Sequence, residues 1–138
     1  MGTNTKLVKA LRKCIGMARG IIVLDENLYE LEDALIEANM RVVTPEPGMS
    51  DKTIAKKLAV GRILITKNSK DFLRFAPMYD FGIIALENLK YIDPSKDDSN
   101  RTVSLISEII TDANLWSRST AFIVTVKNDN TYTIKDLV

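Results

Sequence analysis

The chain has 138 residues, 46% hydrophobic and 27% charged, with a formal net charge of +1. That is the material of one domain with one core, and a balance too even to announce a nucleic-acid or membrane partner. With no histidine and only Cys14, histidine triads, imidazole metal sites, Cys–His nucleophile pairs and intrachain disulfides are excluded, which fits a reducing compartment.

Thr5 to Met17 reads as an amphipathic helix with Leu7, Leu11 and Cys14 on one stripe and Lys6, Lys9, Arg12 and Lys13 largely elsewhere. These charges, with Arg19, interrupt the apolar residues as no secretory signal does. Nothing approaches the ~20 apolar residues of a membrane span, so a cytoplasmic location is expected. Ile21 to Leu24 is a short unbroken apolar run, the mark of a strand covered on both faces of a parallel sheet. Leu28 to Asn39 returns to helical spacing, and Arg41 to Thr44 is a second strand. Pro45, Pro47 and Gly48 make a loop. Ser50 caps a helix from Asp51 to Val60, which Gly61 ends.

Arg62 to Thr66 is the third strand. Ser69 to Phe75 should form one or two helical turns, stopped before Pro77. Phe81 to Leu86 is the fourth strand, Tyr91 to Asn100 a polar loop, and Arg101 to Ala113 a helix with Val103, Ile106, Ile109 and Ile110 inward. Ala121 to Val126 and Thr131 to Leu137 flank Asn128-Asp129-Asn130 as a hairpin. Alternating strands and helices predict parallel, right-handed βαβ units. The expected fold class is α/β, a three-layer α/β/α sandwich with a mostly parallel central sheet and a C-terminal β-hairpin. It forms a single domain over residues 1–138, with residues 1–20 as an N-terminal helical extension and 21–138 as core.

Three segments each carry an aspartate to where strands meet the following loops, the ligand-binding edge of an open α/β fold. They are Asp25 in I-I-V-L-D-E-N, Asp51 at the start of its helix, and Asp71 in T-K-N-S-K-D-F. Each has a structural explanation when taken alone. Asp25 or Asn27 could cap the Leu28 helix. Asp51 suits a helix dipole, worth roughly 0.3–1 kcal/mol. Asp71 begins a short helix. None of these explanations predicts three acids on one edge. Gathered there, the carboxylates would repel and raise one another's pKa values. A hard cation such as Mg²⁺ or Mn²⁺ would relieve that, lower the pKa of a bound water and stabilise charge on a phosphate. Thr66, Asn68 and Ser69 could orient water or touch phosphate, though turn chemistry also places such residues here. Glu26 either supports Asp25 or faces solvent. Lys52, Lys56, Lys67, Lys70 and Arg74 crowd the same edge and suit a polyanionic backbone. Tyr29, Phe72 and Phe75 are the nearby aromatics, with Phe72 assigned to the core.

These residues resemble the PIN domain superfamily of metal-dependent nucleases. Asp51-Lys52-Thr53-Ile54-Ala55, the strand Ile63-Leu64-Ile65 and the run Thr66 to Phe72 are similar to its C-terminal acidic motifs. Val23 to Leu28 is similar to the opening strand of the short PIN-like group associated with toxin–antitoxin genes. Gly82 to Leu86 and Ala121 to Asp136 are similar to that group's closing strands. The resemblance covers Ile21 to Asp136. It implies metal ligation by Asp25, Asp51 and Asp71 with support from Asn68 and Thr66, cleavage of single-stranded RNA with Mg²⁺ or Mn²⁺, RNA contacts by Lys52, Lys67, Lys70 and Arg74, a homodimer, and silencing by an antitoxin protein. The chain departs from the family in lacking a clear fourth acid between the first two motifs, where Glu30, Asp33, Glu37 and Glu46 are imperfect candidates. The alternative expectation is therefore a catalytically degenerate module that binds RNA or protein. A phosphoacceptor domain ranks below both, because the end of the third strand holds Thr66 rather than aspartate.

Overall fold

The computed structural model describes residues 20–89 and 96–137. The helix expected over Thr5 to Met17 lies outside them, as do Lys9, Arg12, Lys13, Arg19 and the start of the Tyr91 loop. Six strands form one sheet: β1 (Ile21–Leu24), β2 (Arg41–Val43), β3 (Ile63–Thr66), β4 (Gly82–Ala85), β5 (Phe122–Val126) and β6 (Tyr132–Asp136). Their order is β2-β1-β3-β4-β5-β6, parallel through β5, with β6 antiparallel to β5. This is the α/β architecture with a closing hairpin that the sequence predicts.

Period-two alternation splits the strand side chains between two cores. Ile22, Leu24, Ile63, Ile65, Ile84 and Val124 face one side, and Val23, Leu64, Ile83 and Ile123 the other. Both faces are apolar because both are covered. The first core is roofed by a 3-10 turn (Glu26–Leu31), α1 (Glu32–Glu37) and the later helix α4 (Lys96–Asp112). The second lies under α2 (Asp51–Thr53), which continues as a π stretch (Ile54–Ala59), and under Phe72, Phe75 and α3 (Ala76–Tyr79). Each fully buried Leu or Ile contributes roughly 1.5–3 kcal/mol of transfer free energy. The crossovers from β1 to β2, β2 to β3 and β3 to β4 share one hand. The step from β4 to β5 moves across the sheet in the same direction as the one before it, yet α4 covers the opposite face. That crossover therefore has the opposite hand, against a strong general preference. Contacts of α4 with α1 and the Glu26–Leu31 turn hold it there.

Local differences from the sequence reading have local causes. The helix after β1 begins at Glu26 rather than Leu28, as a 3-10 turn with non-helical angles at Leu28 (φ −124°, ψ 21°). Pro77 starts a helix instead of blocking one: it lies in the first turn of α3, where its missing N–H is no loss. The Arg101 helix extends back to Lys96, so Lys96 to Asn100 is helical rather than loop. Asp98 then falls in the first turn, where the dipole favours an acid. Gly61 ends the Asp51 helix at φ 69°, as expected of a left-handed stop. No helix among the described residues is long and apolar enough to cross a membrane.

Candidate functional site

The chain steps from β1 to β2 in one direction and then crosses back beyond β1 to β3. Strand order therefore reverses between β1 and β3, and such a reversal opens a crevice at the carboxyl ends of the strands. Asp25 and Thr66 stand on its two sides. Asp25 is buried, with 7% of its surface exposed, and Thr66 is fully buried. The Thr66 hydroxyl donates to Asp25 Oδ2 at 2.7 Å, and the Glu26 N–H donates to Asp25 Oδ1 at 2.9 Å. Thr66 Oγ1 also accepts from the Asn68 N–H at 3.0 Å. Asp25 thus caps the turn that follows it, the structural role the sequence allowed, at the carboxyl end of β1.

Asp51 is placed by its cap. Ser50 Oγ accepts from the Thr53 N–H at 3.2 Å, which fixes the first turn and leaves Asp51 exposed on it. Asp71 closes a 3-10 turn (Ser69–Asp71) beyond β3 and is also exposed. Asp51 and Asp71 line a common cleft of about 460 Å³ with Ser50, Lys52, Lys70, Arg74 and Phe75. Partial burial holds the Asp51 carboxyl above its ordinary 3.8, with further upward pushes from the charges of Asp71, Asp25 and Glu26, in that order. Four acids from three segments therefore share one field. Their donor chemistry, all hard oxygen, fits Mg²⁺ or Mn²⁺. Their placement is looser than a closed cage, since among the described residues no three acidic side chains converge to hold a single ion. Asp25 lies outside the lining of the cleft that Asp51 and Asp71 share.

Lys52, Lys70 and Arg74 line the cleft; Lys67, half-buried, does not. The Arg74 guanidinium stands 4.6 Å from the centroid of the Phe75 ring, an arrangement that orients its donors. Phe72 is core, as expected, and Phe75 is buried beneath Arg74, so neither offers a free ring face. Tyr29 is 39% exposed, and its hydroxyl donates to the Pro45 carbonyl at 2.8 Å, which ties the turn after Asp25 to the loop before Asp51.

The charges that raise Asp51 are those of Asp71, Asp25 and Glu26; Glu30, Asp33, Glu37 and Glu46 are not among them. Sequence reasoning passed over another acid, Glu87. Its Oε2 accepts from both the N–H of Ser69 (3.0 Å) and the hydroxyl of Ser69 (2.7 Å). A signal for it exists: I-I-A-L-E-N-L at β4 repeats the pattern of I-I-V-L-D-E-N-L at β1, an apolar strand ending on an acid.

Fold and site together define a doubly wound α/β domain with a buried aspartate where its strand order reverses and a cleft lined by two further acids and three cations. No family model, curated protein or solved structure matches the chain.

Proposed function

We propose that this chain is a Mg²⁺- or Mn²⁺-dependent endoribonuclease of single-stranded RNA, acting in the cytoplasm as the toxin of a toxin–antitoxin pair. The observation that carries this reading is the Asp51 carboxyl, pushed upward by partial burial and by the charges of Asp71, Asp25 and Glu26 at the ligand-binding edge of the sheet. The resemblance of their motifs to PIN domains gives the reaction class, and extends the proposal to a homodimer silenced by an antitoxin protein. A divalent cation at these acids would supply an acidified water and neutralise charge on the phosphate under attack. Asp51 and Asp71 would hold it from the cleft, and Asp25 from the adjoining rim. Mg²⁺ often takes only one or two carboxylates, with waters and substrate phosphates completing its shell, so a site without three converging acids suits it. Thr66 orients Asp25 and, through Asn68, the turn that carries Asp71. Lys52, Lys70 and Arg74 bind flanking phosphates, and Lys67 adds charge from the rim.

The test is cleavage of single-stranded RNA with Mg²⁺ or Mn²⁺ by the wild type and Asp25→Asn. Metal-dependent cleavage lost in the variant supports the assignment, and equal activity in both sinks it. The second reading, a PIN-like module that has lost catalysis and binds RNA or protein, is favoured by the absence of a three-acid cage among the described residues. Calorimetry separates the two, because no uptake of Mn²⁺ at millimolar concentration selects the module.

A further inference from the structure

We infer that Glu87 is a positioning residue for the acidic site, setting the place of Asp71 by clamping the turn on which it stands. This rests on the nuclease reading, whose reaction would need Asp71 held against Asp51. The turn Ser69–Asp71 has no cap of its own, since the Asn68 side chain makes no capping hydrogen bond. The start of such a turn leaves N–H groups without partners. Glu87 supplies the missing acceptor from the turn after β4: one carboxylate oxygen takes both the N–H and the hydroxyl of Ser69. Ser69 is buried, with 8% of its surface exposed, so the clamp is anchored although Glu87 is exposed.

The backbone makes the link rigid at both ends. The Leu86 N–H donates to the Thr66 carbonyl at 2.9 Å, which ties the residue before Glu87 to the end of β3. On the turn, the Asp71 N–H donates to the Asn68 carbonyl at 3.1 Å and the Phe72 N–H to the Ser69 carbonyl at 3.0 Å. A shift at Ser69 is therefore passed to Asp71. Hydrogen bonds to a charged acceptor are the stronger kind, and two on one oxygen fix direction as well as distance.

The experiment compares wild type, Glu87→Ala, Glu87→Gln and Ser69→Ala for RNA cleavage in Mn²⁺, Mn²⁺ affinity by calorimetry, and amide hydrogen exchange at Ser69 to Leu73. The expected result for Glu87→Ala is a fall in kcat of tenfold or more with KM nearly unchanged, weaker Mn²⁺ binding and faster exchange at Ser69. Glu87→Gln keeps an acceptor oxygen and should recover most of the lost kcat; Ser69→Ala should lie between. Equal losses in the Gln and Ala variants would make the Glu87 charge itself the working part and overturn the clamp. Unchanged kcat and Mn²⁺ affinity in Glu87→Ala would overturn it too. If the wild type neither binds Mn²⁺ nor cleaves RNA, the nuclease reading fails separately, and Ser69 exchange decides the clamp: equal protection in wild type and Glu87→Ala ends it.

Discussion

Asp25 and Thr66 are 41 residues apart in the chain and joined side chain to side chain at 2.7 Å. The bond spans the crevice between β1 and β3, so it also reports that the doubly wound topology has closed. Thr66→Val keeps the shape and removes the hydroxyl. A buried carboxylate then loses a donor and the Asn68 N–H loses its acceptor, at a cost of about 1–3 kcal/mol per unsatisfied buried group. The expected outcome is a lower midpoint in urea denaturation and reduced RNA cleavage, both restored by Thr66→Ser. A valine variant as stable as wild type would mean the pair contributes neither.

Gly82 marks a close approach between neighbouring strands. A Cβ built there would lie 2.2 Å from Cζ of Phe122, its partner in the β4–β5 register. The ring is buried, and the Arg118 guanidinium lies over it, 5.5 Å from its centroid, so it has little room to turn away. Gly82→Ala should destabilise by about 1–3 kcal/mol, the usual scale of overpacking. Phe122→Leu in the alanine background should recover part of that. Thermal melts of the three variants check it, and an unchanged melting temperature for Gly82→Ala would contradict the crowding.

The central strands β1, β3, β4 and β5 were legible in the sequence because each is a short, nearly unbroken apolar run, as a strand buried on two faces must be. The edge strands β2 and β6 were legible instead from their β-rich residues and flanking turns. Asp51 was legible because helix-start chemistry fixes where an acid sits after Ser50, and Asp71 because it follows the polar turn that ends the third apolar run. Glu87 was not, since its role depends on a hydrogen bond to Ser69, which no local spacing encodes. The restart of helix at Pro77 escaped for a similar reason: proline ends one helix or begins the next, and the tertiary packing that buries Ala76 is not written in local spacing. The hand of the β4–β5 crossover is likewise set by the contact of α4 with α1, far away in the chain.

The cleft cations should be separable by salt. Lys70 and Arg74 line the cleft with the acids, while Lys67 does not. Each phosphate contact on a single strand contributes about 0.7 to the slope of log affinity against log salt. Lys70→Ala and Arg74→Ala should each raise the Kd for a short single-stranded RNA and flatten that slope by roughly this amount, whereas Lys67→Ala should change it less. Arg74→Lys should fall short of wild type, because lysine lacks the planar fork that Phe75 orients. Equal slopes for all variants would remove RNA from this cleft.

Asp51 gives the sharpest pH prediction. Its carboxyl is held above 3.8 in the folded chain by burial and by Asp71, Asp25 and Glu26. The helix dipole opposes this with roughly 0.3–1 kcal/mol at an exposed first turn, and the net direction is still upward, so desolvation and repulsion prevail. A raised native value means that the native state binds the proton more tightly than the unfolded one. The penalty of ionising Asp51 is thus absent below 3.8 and complete above the raised native value. Asp51→Asn should therefore melt above wild type at pH 7, and the gap should close as pH falls towards 3.8. It should also shrink in 1 M salt, where the Debye length is about 3 Å, because Asp51 is exposed and its neighbours' charges are screened. Mn²⁺ should act on the same repulsion by another route. At a hundredfold excess over its Kd it would stabilise wild type by about 2.7 kcal/mol, and the asparagine variant, lacking a ligand, by less. Melts that respond to pH and salt as described, yet not to Mn²⁺, would identify a crowded acidic edge with no cation to relieve it, and would move the chain from nuclease to binding module.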